Sequence, residues 1–352
     1  MAKPPSPRAS SNESTPGRAG DPTVREVERR LAALEGTDDA ILLTSGMAAL
    51  TTSLLAMTRA GDHVVLFRDC YRRTRQFVSA TLGRFGVSHS LVAEDDLPAL
   101  AEVLHPRTRV VLAEALSQPS LASVDIAAVS RICRASGHAG PRLLVDATLV
   151  TPVNLRPASL GADLVVHNAT RFLSGRHDVV AGVVCGPASL VAQVRDLRTV
   201  LGTTCDPHAA SLVGHGLDTL SLRIDRQNVT ALAVARALAS HARIERVHYP
   251  LLASHPSHDV AARQLRGGGG LVSFVLRGGR AAASRFVAAC RLDPSPTGSG
   301  TLVEQPAVTS YPELDDEQLA IIGLPPGLVR LSVGLEETTD VVARVLAALA
   351  HE

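Results

Sequence analysis

The sequence predicts an α/β protein with a largely parallel sheet covered by helices on both faces, followed by a second, smaller domain. Two observations predict it. From residue 40 to about residue 185, short apolar runs alternate with helical patterns, which is how strand–helix–strand units are written. At 352 residues the chain also exceeds the length at which a single core keeps growing, so two domains are expected.

Residues 1–20 carry Pro4, Pro5, Pro7 and Pro16 among Ser, Gly and Thr, with too little apolar content to fold alone, and read as a mobile arm. Asp21-Pro22 then supplies a cap and a first-turn proline for a helix through Leu34. Val24, Val27, Leu31 and Leu34 share one face of it, and Gly36 ends it. Strands are expected near 40–44, 63–67, 87–92, 108–113, 142–146, 163–166 and 180–185, with helices between most of them. Helical stretches near 187–200 and 208–240 lead to a second part with strands near 271–276 and 328–333 and a final helix from about 338. The boundary is expected near 225, giving domains 21–225 and 226–352. Gly267-Gly268-Gly269-Gly270 precedes a strand rather than a helix and reads as a turn, not a phosphate loop.

The formal net charge is +1 with acids and bases interspersed, so neither a nucleic-acid nor a membrane-surface partner is expected; the ligand should be small. Five well-separated cysteines, with no Cys-x-x-Cys, read as reduced thiols of a cytoplasmic protein. No apolar run reaches membrane-spanning length. Of 35 lysines and arginines only Lys3 is a lysine, and it lies in the arm.

Several residues invite a chemical reading beside a plain one. Ser45-Gly46-Met47-Ala48-Ala49 turns a buried strand into a helix whose first N–H groups can hold a phosphate, although an ordinary capped helix reads the same way. Asp146 ends the strand Arg142-Leu143-Leu144-Val145 at the carboxyl edge of the sheet. There it can hold a protonated pyridine nitrogen or simply cap a loop. Tyr71 reads as an aromatic at a helix start. Arg330, inside the apolar Leu328-Val329-Arg330-Leu331, needs a partner, either a ligand carboxylate or a structural acid.

His167-Asn168-Ala169-Thr170-Arg171-Phe172-Leu173-Ser174-Gly175, with Gly161-Ala162-Asp163 before it and Asp178-Val179-Val180-Ala181-Gly182 after it, resembles the pyridoxal-phosphate (PLP) segment of the transsulfuration enzymes. These are cystathionine γ-synthase, cystathionine γ-lyase and methionine γ-lyase. The resemblance implies a PLP fold type I, aspartate-aminotransferase-like large domain with a smaller α/β C-terminal domain. It covers about residues 16–350. It implies cofactor contacts from Arg18, Gly46, Met47, Tyr71, Asp146, Asn168 and Thr170, and substrate contacts from Ser295 and Arg330. Arg171 stands where the family carries the lysine that forms a Schiff base with PLP. A guanidinium has a pKa above 12, so a neutral form near pH 7 would require a shift of roughly 6 units.

Other departures from the family pattern fall in the same pocket. Arg72 and Arg73 replace the glycines of Tyr-Gly-Gly-Thr, Ala147 an asparagine after Asp146, and Asn168 a serine. Gln118 replaces the asparagine of Ser-Asn-Pro, Arg176 a histidine, and Pro296 the leucine after Ser295. Pro16 takes the tyrosine position of the element that, through Arg18, reaches a neighbouring subunit's phosphate. His255 and His258 fall inside a matching block and are taken as surface or structural residues, with no metal implied.

The expected function is that of a divergent sulfur-amino-acid protein with a PLP- and amino-acid-shaped pocket. PLP would be held non-covalently, or a preformed PLP–amino acid adduct would be bound and acted on slowly. The partner is a small amino-acid ligand, and the assembly a homodimer or homotetramer. Two other readings stay open. One is a non-catalytic subunit paired with a lysine-bearing homologue; the other is an anion pocket built from Arg72, Arg73, Arg171 and Arg330 for unrelated chemistry.

Overall fold

The computed structural model describes residues 21–137, 140–176, 178–290 and 300–350. Arg18 and Ser295, together with the arm, lie outside the described residues.

The larger sheet has seven strands: β1 (Asp39–Leu43), β2 (His63–Phe67), β3 (Ser88–Val92), β4 (Thr108–Glu114), β5 (Arg142–Asp146), β6 (Leu164–Asn168) and β7 (Gly182–Gly186). Their order is β1-β7-β6-β5-β4-β2-β3. Every pair from β6 through β5, β4 and β2 to β3 is parallel, while β7 runs antiparallel to both β6 and β1. The fold is therefore α/β with a mostly parallel large sheet. Strands β2, β4 and β7 are buried on both faces, as a helix-covered parallel sheet requires, which is why they read as unbroken apolar runs.

The Pro22–Glu35 helix begins where the Asp21 carboxylate accepts from the Thr23 N–H (2.8 Å) and ends at Gly36, whose φ of 74° a side chain would strain. Buried Glu28 ties this helix to the sheet. It accepts from the Leu42 N–H (2.9 Å) and meets the guanidiniums of Arg195 and Arg198 at 3.1 and 3.4 Å.

A second, fully antiparallel sheet is formed by β8 (Ile244–His248), β9 (Leu271–Leu276), β10 (Leu302–Glu304) and β11 (Leu328–Ser332) in the order β10-β11-β9-β8. Strands β8 and β10 were not expected from the sequence. Between the sheets, the single helix expected over 208–240 is two, Pro207–Asp218 and Leu220–Ala239, broken at Thr219. The second of these gives Leu220 and Ile224 to the core of the large sheet and Ala231, Val234 and Leu238 to the core around Phe274 and Phe286. The glycines before β9 form an irregular bend, and Gly268 leaves no room for a Cβ, which would lie 2.5 Å from the Tyr249 ring. Among the described residues no helix is long and apolar enough to cross a membrane.

Candidate active site

Because β4, β5 and β6 are parallel, their last residues, Glu114, Asp146 and Asn168, come out along one edge of the sheet. There they line a cavity of about 300 Å³ together with Gly46, Met47, Tyr71, Thr148, Thr170, Arg171 and Arg330. Eight of the ten residues singled out in the sequence thus meet at one cavity; the other two are Arg18 and Ser295.

One end of the cavity suits an anion. The helix Gly46–Met57 starts here, capped by the Ser45 hydroxyl accepting from the Ala48 N–H (3.0 Å). Gly46 is required by contact, since a Cβ on it would lie 2.6 Å from the Asn168 Cβ. Asn168 accepts from the Thr170 N–H through Oδ1 (3.0 Å), which leaves its Nδ2 donor without a partner among the described residues. The Thr170 hydroxyl is already engaged with the Ala181 backbone, at 3.4 Å to the carbonyl and 3.3 Å to the N–H. The serine expected at position 168 by family resemblance is thus replaced by a longer side chain that still offers a donor.

The floor formed by the ends of β4 and β5 suits a cation. Glu114 and Asp146 are register partners on neighbouring parallel strands. Glu114 is 5% exposed, and its Oε1 accepts the Tyr71 N–H at 2.5 Å; Asp146 Oδ1 accepts from the Thr148 N–H at 2.9 Å. Burial, then the neighbouring Asp146, pushes the Glu114 carboxyl well above its ordinary range. Burial also raises Asp146, against the hydrogen bonds from Thr148. Neither carboxylate has a basic ion-pair partner among the described residues. Two adjacent acids without a cation disfavour their own double ionisation, and a protonated ring nitrogen placed on Asp146 would relieve it. The donors at one end and the acids at the other therefore fit the phosphate and pyridinium ends of PLP.

Tyr71, 44% exposed, caps the short Arg72–Gln76 helix at the cavity mouth. Arg72 turns away from the cavity. It bonds to the Ser310 carbonyl, meets Glu313 at 2.5 Å, and lies 4.9 Å from the Tyr311 ring centre. Of the four arginines expected to form one anion pocket, Arg171 and Arg330 line this cavity, while Arg72 and Arg73 border, with Arg330, an adjoining one of about 230 Å³ in which Arg72 is already paired with Glu313. Arg73 pairs only with the Gln76 amide among the described residues, at 3.0 Å.

Arg330 is engaged on both arms: Nη1 donates to Gln118 Oε1 (2.8 Å), and Nη2 is ion-paired with Glu304, directly across the β10–β11 register. Arg171 stands on a widened helical turn, Ala169–Leu173, in which the Ser174 N–H bonds back five residues to the Ala169 carbonyl (3.1 Å). Its guanidinium has no hydrogen-bonding or acidic partner among the described residues. His255 is structural, bonded to the Ser120 carbonyl (2.9 Å) and the Ser257 hydroxyl (3.1 Å).

Sequence reasoning missed Glu114, Thr148 and Glu304. Glu114 could have been found by the argument that found Asp146, since it too ends an apolar parallel strand at the carboxyl edge. Glu304 has no such signal, because its strand is three residues long.

Comparison with known proteins agrees with this geometry. The family described as Cys/Met metabolism PLP-dependent enzyme matches residues 8–350. Cystathionine γ-synthase 1, chloroplastic, of Nicotiana tabacum is 40% identical over 337 residues, 95% of this chain and 62% of that protein. The chain thus spans less than two thirds of the plant protein's length. L-methionine γ-lyase of Pseudomonas putida is also 40% identical, over 94% of this chain and 84% of its own. The crystal structure of metB from Corynebacterium glutamicum superposes with a TM-score of 0.88 at 31% identity, covering 94% of this chain and 86% of that one, and the fold is that of PLP fold type I. Sequence, cavity chemistry and architecture converge on one conclusion: the chain belongs to the Cys/Met metabolism PLP-dependent enzyme family.

Proposed function

We propose that this protein binds PLP, or a preformed PLP–amino acid adduct, non-covalently in the cavity, with slow or atypical chemistry at the carbon–sulfur bond of a sulfur or homoserine-type amino acid. The observation that carries this reading is the pair of buried acids, Glu114 and Asp146, lining the same cavity of about 300 Å³ as the Gly46 helix start. When bound, PLP supplies an electron-withdrawing ring.

The rest is the work of the chain's own residues. The backbone N–H groups after Ser45 and the Asn168 amide hold the phosphate, Asp146 keeps a proton on the ring nitrogen, and Tyr71 covers the ring face. Arg18 and Ser295 belong to the same reading by resemblance. With arginine at position 171 and no lysine after Lys3, the pocket has no side-chain amine for a covalent bond to the cofactor. Family resemblance makes the working form a homodimer or homotetramer.

The test is a spectral titration with PLP, followed by borohydride reduction and peptide mapping. Saturable binding with no pyridoxyl label in residues 21–352 is expected, and Arg171→Lys should turn the protein yellow with a label at position 171. A folded Arg171→Lys protein that binds no PLP defeats the reading.

A second reading, a non-catalytic subunit paired with a lysine-bearing homologue, is favoured by the Arg330–Glu304 ion pair, which leaves the family's substrate-carboxylate residue already neutralised. Native mass measurement after mixing the two chains separates the cases. Hetero-oligomers that displace the homo-oligomer support the second reading.

A further inference from the structure

The cavity is lined by only two basic side chains among the described residues, Arg171 and Arg330, and they differ in what they already hold. Arg330 gives one arm to Glu304 and the other to Gln118, so a ligand carboxylate would have to displace both. Arg171 gives its guanidinium to no hydrogen-bonding or acidic partner among the described residues. Its backbone is nevertheless fixed: Arg223 donates to the carbonyls of Phe172 (2.7 Å) and Leu173 (3.0 Å), and Phe172 and Leu173 are buried beneath the turn. The guanidinium also borders a small adjoining void of about 30 Å³, beside Gln227 and Ser332, room for about one water.

The charges of the described lining can then be matched to a ligand. The acids on the floor call for a cationic ring nitrogen and the helix start takes a phosphate, which leaves Arg171 as the one unmatched cation on the wall among the described residues. A guanidinium receives a carboxylate through two parallel N–H···O bonds, a geometry that no lysine at this position could offer.

We propose that Arg171 is the residue that receives the ligand's carboxylate in this chain, in place of Arg330. The replacement that removes the reactive amine thereby creates a carboxylate receptor, and the preferred ligand is an already formed phosphopyridoxyl–amino acid rather than the free cofactor. This rests on the reading of the cavity given above.

The test uses two probes without an aldehyde, reduced phosphopyridoxyl-alanine and pyridoxamine phosphate, which differ by the carboxylate-bearing part. Fluorescence titration of the full chain gives an affinity ratio for the two. Wild type should favour phosphopyridoxyl-alanine by about tenfold, the increment of one charge-assisted pair at a partly open site. Arg171→Met and Arg171→Gln should abolish that preference and bind pyridoxamine phosphate as wild type does, while Arg330→Met should keep it.

Loss of the preference in Arg330→Met, with its retention in the Arg171 variants, overturns the assignment. Equal weakening of both probes by Arg171→Met also overturns it, placing Arg171 on the phosphate. A wild type that binds both probes equally removes this inference and leaves the proposed function standing; one that binds neither removes both.

Discussion

At the scale of single residues, Glu114 is where burial and the neighbouring Asp146 make a negative charge hard to hold in the ligand-free protein. Its carboxyl is raised above the unfolded value, so its contribution to stability is fully present below pH about 4.5 and is lost as pH rises through the folded-state value. Glu114→Gln keeps an acceptor for the Tyr71 N–H without the charge. The variant should therefore match wild type near pH 4.5 and melt higher at pH 8, by on the order of 2 °C or more. Calorimetry at the two pH values checks this, and a variant that melts lower at pH 8 would assign the hydrogen bond, rather than the charge, the larger effect.

The same residue marks the limit of what could be read beforehand. Asp146 and Gly46 sit at the end of an apolar strand and the start of a helix, positions that suit a ligand and an ordinary cap alike, and it was the resemblance of the segments around them that pointed to a ligand. The state of Arg330 was legible only as a choice between two partners. The ion pair with Glu304 depends on strand register across a sheet, which no local pattern encodes.

At the scale of elements, the helix start at Gly46 and the end of β6 are fitted to each other. Gly46→Ala would set a Cβ 2.6 Å from the Asn168 Cβ and 2.9 Å from its Cα, and backbone cannot yield as a flexible side chain can. A loss of about 1–3 kcal/mol is expected, with weaker phosphate binding because the Asn168 donor is displaced. Chemical denaturation together with pyridoxamine phosphate titration measures both; a variant as stable as wild type would mean that the two elements separate freely.

Elements with strong apolar runs were found in the sequence nearly to the residue, as with β2, β5 and β9. Strand β8 (Ile-Glu-Arg-Val-His) was not, since two consecutive charged residues, Glu245 and Arg246, are exposed in it and it lacks the alternation that signals a sheet. The break at Thr219 was invisible because the flanking sequence stays helical. It follows Gly216, where a Cβ would lie 2.1 Å from the Ser174 carbonyl oxygen, so a tertiary contact at that glycine adjoins the point where one helix ends and the next begins.

At the scale of the whole molecule, the layered α/β architecture was implied by the order of the runs, whereas the closeness of the outer 306–314 segment to the cavity mouth was not. That segment is held by Arg72, through Ser310, Tyr311 and Glu313. Arg72 directly follows Tyr71, whose N–H rests on Glu114. Two neighbouring residues thus span from the acid on the cavity floor to a surface segment some two hundred positions later in the chain. The consequence is an energetic one: the charge state of the floor and the grip on the outer segment bias the same short helix start, so each should alter the other. In a double-mutant cycle, Glu114→Gln and Arg72→Gly should be non-additive by roughly 0.5–3 kcal/mol, and simple additivity would show the two contacts to be independent. By reciprocity, a ligand cation that fixes the floor as carboxylate should change hydrogen exchange at residues 310–313 to the same thermodynamic degree that loosening those residues changes the ligand's affinity.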